Sequence, residues 1–237
     1  MNAVNIDRTV GELVAEQPGR ARVFERLGID YCCGGKRPLK VVCEEKNLPV
    51  EAVVGQLASE ASPGQEETNW QERSLTELAD HIEQTHHAYL KAELPRLSAM
   101  LAKVVQRHGD RHGEMWAVQE VFEQFRAELE AHMLKEEHIL FPAIRQLDAQ
   151  REETGFHCGS LANPIRVMEH EHDSAGEALA RMNELSHGYQ PPADACNTYR
   201  ALLHSLKHLE ADMHQHVHKE NSILFPRAIA AERAKQE

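Results

Sequence analysis

Apolar residues recur at three- and four-residue intervals through most of this chain, the spacing of one face of an α-helix, and no stretch settles into the two-residue alternation of a strand. In the first 60 residues the periodic stretches are short. Thr9-x-x-Glu12 ahead of Leu13 and Val14 has the form of a capping box, Pro18 and Gly19 interrupt, and Val23, Phe24 and Leu27 mark a second amphipathic stretch that stops at Gly28. Two further short helices are expected over about 39–46 and, after Pro49, over 50–60. The polar run from Ser59 to Asn69, with Pro63 and Gly64 inside it, reads as a linker. Beyond it the periodicity predicts four long helices, at about 74–107, 114–147, 163–186 and 194–231. Short connections between them favour antiparallel neighbours. The expected architecture is therefore all-α: a small helical cysteine-containing domain over 1–60, a linker over 61–73, and an up-down-up-down four-helix bundle over 74–231.

Two of the long helices carry the same string. His132-x3-Glu136-x3-Leu140-Phe141-Pro142 and His216-x3-Glu220-x3-Leu224-Phe225-Pro226 both read H-x3-E-x3-L-F-P, which places an imidazole, a carboxylate and a leucine on one helical face. His132 and His216 are 84 residues apart, and His87 and His172 are 85 apart, so the second helix pair reads as a copy of the first. Leu129, Met133 and Leu140 lie beside one pair, and Met213, Val217 and Leu224 beside the other. Burying His and Glu among such residues without a partner is costly, and a metal supplies that partner.

The candidate ligands are His87, His132, Glu136, His172, His216 and Glu220, four imidazoles and two carboxylates. Nitrogen and oxygen donors without thiolate suit iron or manganese, with zinc also compatible. If Glu136 and Glu220 both bridge two cations, each metal has two nitrogens and two oxygens, and an oxo or hydroxo bridge leaves one octahedral position open for a small molecule. Helix three places Ile165, Met168, His172, Ala175 and Leu179 on one stripe, so His172 points inward and His170 away. In helix one the stripe of Leu75, Leu78, Ile82 and Tyr89 favours His86 over His87, and the doublet stays open on phase alone.

Composition narrows the partners. The 26 Lys and Arg against 38 Asp and Glu give a net charge of −12, which argues against nucleic acid and anionic membrane surfaces. No apolar run reaches membrane-spanning length, and the first residues lack a signal-peptide pattern, so a cytoplasmic location is expected. Five cysteines are then better read as thiols than as a disulfide framework, and 16 histidines supply metal-ligand chemistry.

Several strings together resemble the repair of iron centres (RIC) family, which pairs an N-terminal D-Y-C-C-G-G domain with a hemerythrin-like di-iron bundle. They are Asp30-Tyr-Cys-Cys-Gly-Gly35, His86-His-Ala-Tyr-Leu-Lys-Ala-Glu-Leu-Pro95, Lys103-Val-x3-His108, His132-Met-x-Lys-Glu136-Glu-x-Ile-Leu-Phe-Pro142, Met168-Glu-x-Glu-His172-Asp-x-Ala-Gly176 and Glu220-Asn-x2-Leu-Phe-Pro226. The resemblance implies that His87 is the helix-one ligand, and that the cofactor is a non-haem di-iron centre bridged by Glu136 and Glu220. It implies repair of iron–sulfur clusters damaged by nitric oxide or oxidants, with possible nitric-oxide-directed oxidoreductase activity. Damaged iron–sulfur proteins, NO or O2, and a second copy of the chain are the expected partners. Reversible oxygen or nitric oxide binding is the competing function, and a di-iron oxidase fits less well because such bundles use more carboxylates and E-x-x-H spacing.

Cys32 and Cys33 are adjacent, which suits neither a one-metal clamp nor an unstrained disulfide, so they are read as redox or transfer thiols on a turn. Cys43, Cys158 and Cys196 have no comparable context and are read as incidental. The additional histidines His81, His86, His170, His214 and His218 are either groups that support the ligands or helix-surface residues, the latter expected for most of them.

Overall fold

A computed structural model describes residues 4–59, 68–149 and 160–236. Most of the expected linker and most of the loop expected at 153–164, with Cys158, lie outside the described residues. No β-strand forms among the described residues, where Thr9 and Pro38 make an isolated antiparallel bridge. Among the described residues, no helix is long and apolar enough to cross a membrane. The chain is all-α and divides into two compact units, residues 1–78 with 214–237, and residues 79–213.

In the first unit α1 (Val10–Glu16) is opened by Thr9, whose hydroxyl accepts from the Glu12 amide at 3.2 Å while the Glu12 carboxylate accepts from the Thr9 amide at 3.0 Å. A 3-10 turn at Pro18–Arg20 leads into α2 (Ala21–Arg26), and Gly28 ends that stretch at φ +61°, a left-handed conformation that glycine adopts without strain. Helices α3 (Leu39–Glu45) and α4 (Val50–Ser59) complete a core of Val10, Leu13, Val23, Phe24, Leu39 and Leu57. Arg20 is buried against this core with its guanidinium donating to the Leu13 carbonyl at 3.0 Å and to Glu16 at 2.8 Å.

The Asp30–Gly35 segment is a turn built on the Asp30 carboxylate, which accepts from the amides of Cys32 (2.9 Å), Cys33 (3.0 Å) and Gly34 (2.8 Å). The Gly11 amide donates to the Gly35 carbonyl at 2.9 Å, and a Cβ at Gly35 would come within 2.5 Å of the Tyr31 oxygen. Tyr31 is buried, donates to Glu25 at 2.8 Å, and packs edge-on against His214 and His218, with ring centroids 6.3 and 5.4 Å away. The C-terminal helix of this unit is also held by Arg227, which donates to the carbonyls of Trp70 (2.7 Å) and Arg73 (2.6 Å).

The second unit is a bundle. Its first helix begins as α5 (Leu75–His81), passes through a π-helical turn (Ile82–His87) and continues as α6 (Ala88–His108). The second runs as α7 (Glu114–Lys135), a π turn (Glu136–Leu140) and α8 (Phe141–Asp148), and the third is α9 (Ala162–Leu185). The fourth, α10 (Asn197–Lys219), begins in this unit, and from His214 on the chain, with the π turn (Glu220–Leu224) and α11 (Phe225–Gln236), belongs to the first unit. Arg145 meets Asp80 and Glu83 at 2.6 and 2.7 Å, while the Ser98 hydroxyl meets Glu123, so the first two helices run antiparallel. Tyr89 with His208, and His108 with Tyr199, place the first and fourth helices antiparallel as well. The fourth helix was expected from 194, yet Ala193–Cys196 stay outside it because Arg200 donates to the carbonyls of Ala193 and Ala195.

The π turns are the main departure from the expected uninterrupted helices. Each widens the helix by one residue, with the amides of Ala88, Phe141 and Phe225 donating five residues back to Glu83, Glu136 and Glu220. In the two repeats the cause is in the string itself. Pro142 and Pro226 have no N–H for the carbonyl four residues earlier, and their rings crowd that carbonyl, which the wider turn relieves.

Two tests follow from the first unit. Gly35→Ala forces a Cβ onto backbone, and is expected to lower unfolding stability by about 1–3 kcal/mol in denaturant titrations. Burial holds the His218 imidazole down to about 4, against a weaker upward pull from a hydrogen bond to the Tyr31 backbone. The unfolded chain therefore binds a proton that the native chain refuses between about pH 6.5 and 4, and stability falls by up to about 3 kcal/mol as pH drops through that window. In His218→Gln this share of the acid sensitivity should disappear from denaturant midpoints measured against pH.

Candidate metal centre

Within the bundle unit, four of the sequence-predicted residues converge. His87, His132, Glu136 and His172 are all buried, and the Glu136 side chain has no exposure. Glu136 Oε2 lies 3.3 Å from Nε2 of His87 and 3.3 Å from Nε2 of His132. His172 Nε2 is 3.0 Å from His132 Nε2, and one donor atom from each of His132, Glu136 and His172 lies within 4.8 Å of the others. Each comes from a different point of the secondary structure. His87 closes the π turn of helix one, His132 ends α7, Glu136 opens the next π turn, and His172 sits mid-way in the unbroken α9.

The other half-motif belongs to the first unit. His216 Nε2 lies 3.2 Å from Glu220 Oε1, and both side chains have no exposure. As in the first copy, Glu220 opens a π turn.

The outer partners explain why these nitrogens face a carboxylate. His87 Nδ1 lies 2.8 Å from Glu137, which Lys91 holds at 2.7 Å, and His132 Nδ1 lies 2.9 Å from Glu171, which pairs with Lys135. Burial pushes both Glu137 and Glu171 up, but the lysines, and then the imidazoles, more than offset it, so both carboxyls fall below their ordinary range. An ionised carboxylate can only accept, so each Nδ1 carries the ring proton. Each Nε2 then presents a lone pair to an oxygen of Glu136. Lone pairs converging out of water repel one another and are reconciled by a cation between them, so the donor set fits a metal. Phe141 of the L-F-P string stacks on His87, with centroids 5.6 Å apart, and fixes the plane of the ring.

The helix-one doublet divides its roles. His86 is buried too, but its Nδ1 faces Asp212 at 2.9 Å, while His87 faces Glu136. Phase favoured His86 because it assumed an unbroken α-helix, and the extra residue of the Ile82–His87 π turn shifts the register between Ile82 and Tyr89. Of the other histidines expected at the surface, His170 is exposed, whereas His86 and His218 are buried. Glu137, Glu171, Lys91 and Lys135 escaped the sequence reading. Their signal was adjacency: an acid directly after Glu136 and another directly before His172, available to the Nδ1 that a ligating imidazole must satisfy.

In the first unit Cys32 is buried and Cys33 half-buried. Cys32 Sγ lies 3.8 Å from Cys33 Sγ and 3.2 Å from Asp30. The hydrogen bond to Cys33, burial and the Asp30 charge all push the Cys32 thiol well up, so it is held as a protonated thiol rather than a nucleophilic thiolate.

A helical bundle that gathers buried imidazoles around a carboxylate defines the hemerythrin class of cation-binding proteins. The Hemerythrin HHE cation binding domain family matches residues 78–228, and the domain of unknown function DUF542 matches residues 6–61. Iron-sulfur cluster repair protein YtfE of Enterobacter sp. (strain 638) is 37% identical over 227 residues, covering 95% of this chain and 98% of that protein. The YtfE proteins of Escherichia coli O157:H7, at 37% over 227 residues, and Pectobacterium carotovorum subsp. carotovorum (strain PC1), at 36% over 226, cover the same shares of each chain. The chain belongs to the iron-sulfur cluster repair protein YtfE family, with a hemerythrin HHE domain.

Replacing Glu137 or Glu171 by Gln removes the charge that fixes a ring proton and leaves a group of the same shape. Each change should weaken metal retention about 10–100-fold. Chelator competition on the purified chains measures this, and an unchanged release rate would show that these carboxylates are bystanders.

Proposed function

We propose that this protein repairs iron–sulfur clusters damaged by nitrosative or oxidative stress, through a non-haem di-iron centre held by His87, His132, Glu136, His172, His216 and Glu220. The observation that carries the reading is the match of this chain, over 95% of its length and in one order, to proteins named for iron–sulfur cluster repair. The repeat supports the ligand set, since each copy offers one buried His/Glu pair opening onto a π turn. In this reading residues 74–231 are the di-iron domain, 1–60 the cysteine-containing domain and 61–73 the linker. Glu136 and Glu220, the carboxylates of the two strings, would be the ligands able to serve both irons.

When bound, such a centre supplies redox chemistry and an exchangeable position for a small molecule such as NO or O2. The chain's own residues set the conditions. Glu137 and Glu171 orient the imidazoles, Phe141 keeps one ring in plane, and the buried apolar surroundings exclude water. Cys32 and Cys33 serve as transfer or redox thiols. Because the hydrogen bond with Cys33, burial and Asp30 keep Cys32 protonated, that role requires a partner or metal to take its proton. The damaged clusters of other proteins, in the cytoplasm, are the substrates.

Metal analysis with Mössbauer spectroscopy on chain purified without added metal should show two coupled irons per molecule. Glu136→Leu should retain half of that iron or less. Purified protein should restore activity to a cluster enzyme inactivated by nitric oxide, and Cys32→Ser/Cys33→Ser should keep the iron while losing repair. Failure to restore the enzyme, together with reversible oxygen binding, would instead identify a carrier.

A further inference from the structure

A second set of donors lies at the other end of the bundle's first helix. His108 closes α6, 21 residues beyond His87, which at 1.5 Å per residue is about 30 Å away. One turn on, His112 follows in the α6–α7 connection, its amide donating to the His108 carbonyl at 2.8 Å. Asp194 and Cys196 come from the loop that precedes α10. One ligand atom from each of His108, His112 and Asp194 lies within 4.8 Å of the others. Cys196 Sγ is 3.2 Å from His108 Nε2.

His112 sits between two carboxylates, its Nε2 2.9 Å from Asp194 Oδ1 and its Nδ1 3.3 Å from Glu114, so a cation taken up at Nε2 would shift the ring proton to Nδ1, where Glu114 can accept it. His108 is more than nine-tenths buried, and its Nδ1 has no hydrogen-bond partner among the described residues. Neither ring is free to swing. Tyr199 packs against both, with centroids 5.4 and 5.7 Å away. The loop is equally fixed, because Arg200 holds the carbonyls of Ala193 and Ala195 and Arg111 holds Asp194 Oδ2 at 3.2 Å. A tetrahedral ion with ordinary zinc bond lengths places neighbouring donors about 3.3–3.6 Å apart; His108, His112 and Asp194 already offer atoms within 4.8 Å of one another, and the exposed Cys196 thiol, 3.2 Å from His108 Nε2 but outside that group, joins them by rotation about its Cα–Cβ bond.

We propose that His108, His112, Asp194 and Cys196 form a second, mononuclear site for a zinc-class divalent cation, separate from the centre at His87, His132, Glu136 and His172. Two imidazoles, a carboxylate and a thiolate are a tetrahedral donor set of the kind that selects zinc or cobalt, unlike the all-nitrogen-and-oxygen set of the first centre. On binding, the Cys196 thiol proton leaves to solvent as the sulfur–metal bond forms. No ligand position is left for substrate, so the site is structural. It ties the α6–α7 connection to the loop entering α10, and thereby the ends of the first and fourth helices.

The test is titration of the purified full-length chain with Co2+, followed by displacement with Zn2+. Wild-type protein should develop sulfur-to-cobalt charge-transfer absorption and tetrahedral ligand-field bands saturating at one equivalent, and Zn2+ should abolish both. Cys196→Ser should lose the charge-transfer band. His112→Ala and Asp194→Ala, both at partly exposed positions, should bind Co2+ at least about tenfold more weakly while keeping wild-type helicity and iron content. The proposal is overturned if no charge-transfer band forms, if the band survives in Cys196→Ser, or if His112→Ala and Asp194→Ala titrate like wild type. Loss of iron together with cobalt in these variants would overturn the separation of the two sites.

Discussion

Glu136 is a carboxylate without access to water, and the middle of the bundle is arranged around that fact. An unpaired ion in such a place would take up a proton or unfold its surroundings. Here two imidazole nitrogens face it at 3.3 Å with lone pairs set by a further layer of acids and lysines, an arrangement that a cation between them would stabilise. Outward from Glu136 come the imidazoles, then the carboxylates of Glu137 and Glu171, then the ammonium groups of Lys91 and Lys135 at the rim. The apolar residues of the bundle close around this column and give it the low dielectric in which each contact is strong.

The N-terminal segment answers to a different constraint, close approach of backbone. Gly11 and Gly35 bring two chain segments together, and Asp30 caps three consecutive amides, so Tyr31 projects as a rigid wedge onto the helix face of His214 and His218. That helix also carries His216 and Glu220. The family string D-Y-C-C-G-G therefore has a physical division of labour. Asp30 and the glycines make the turn, Tyr31 docks it, and the turn holds the Cys32 and Cys33 sulfurs side by side, 3.8 Å apart.

Much of this was legible in the chain. The i, i+4 pairing of His132 with Glu136 and of His216 with Glu220 needed only helical periodicity, and the Thr9–Glu12 capping box formed as written. Two departures share one cause. Periodicity assumes a single pitch, and the π turns change it, which is why phase alone leaned to His86 beside the His87 that the family resemblance implied, and why uninterrupted helices were expected. Long-range pairs were illegible for another reason. Nothing local to Cys196 signals an imidazole, and only folding brings His108 to it from 88 positions away.

A π turn is an α-helix carrying one residue too many, and the surplus residue falls on the same five positions in both copies of the H-x3-E-x3-L-F-P string. In both strings the glutamate that buries its side chain also lends its carbonyl to the widened turn, closed by the amides of Phe141 and Phe225. The pitch of each helix thus changes at the point where it buries charge.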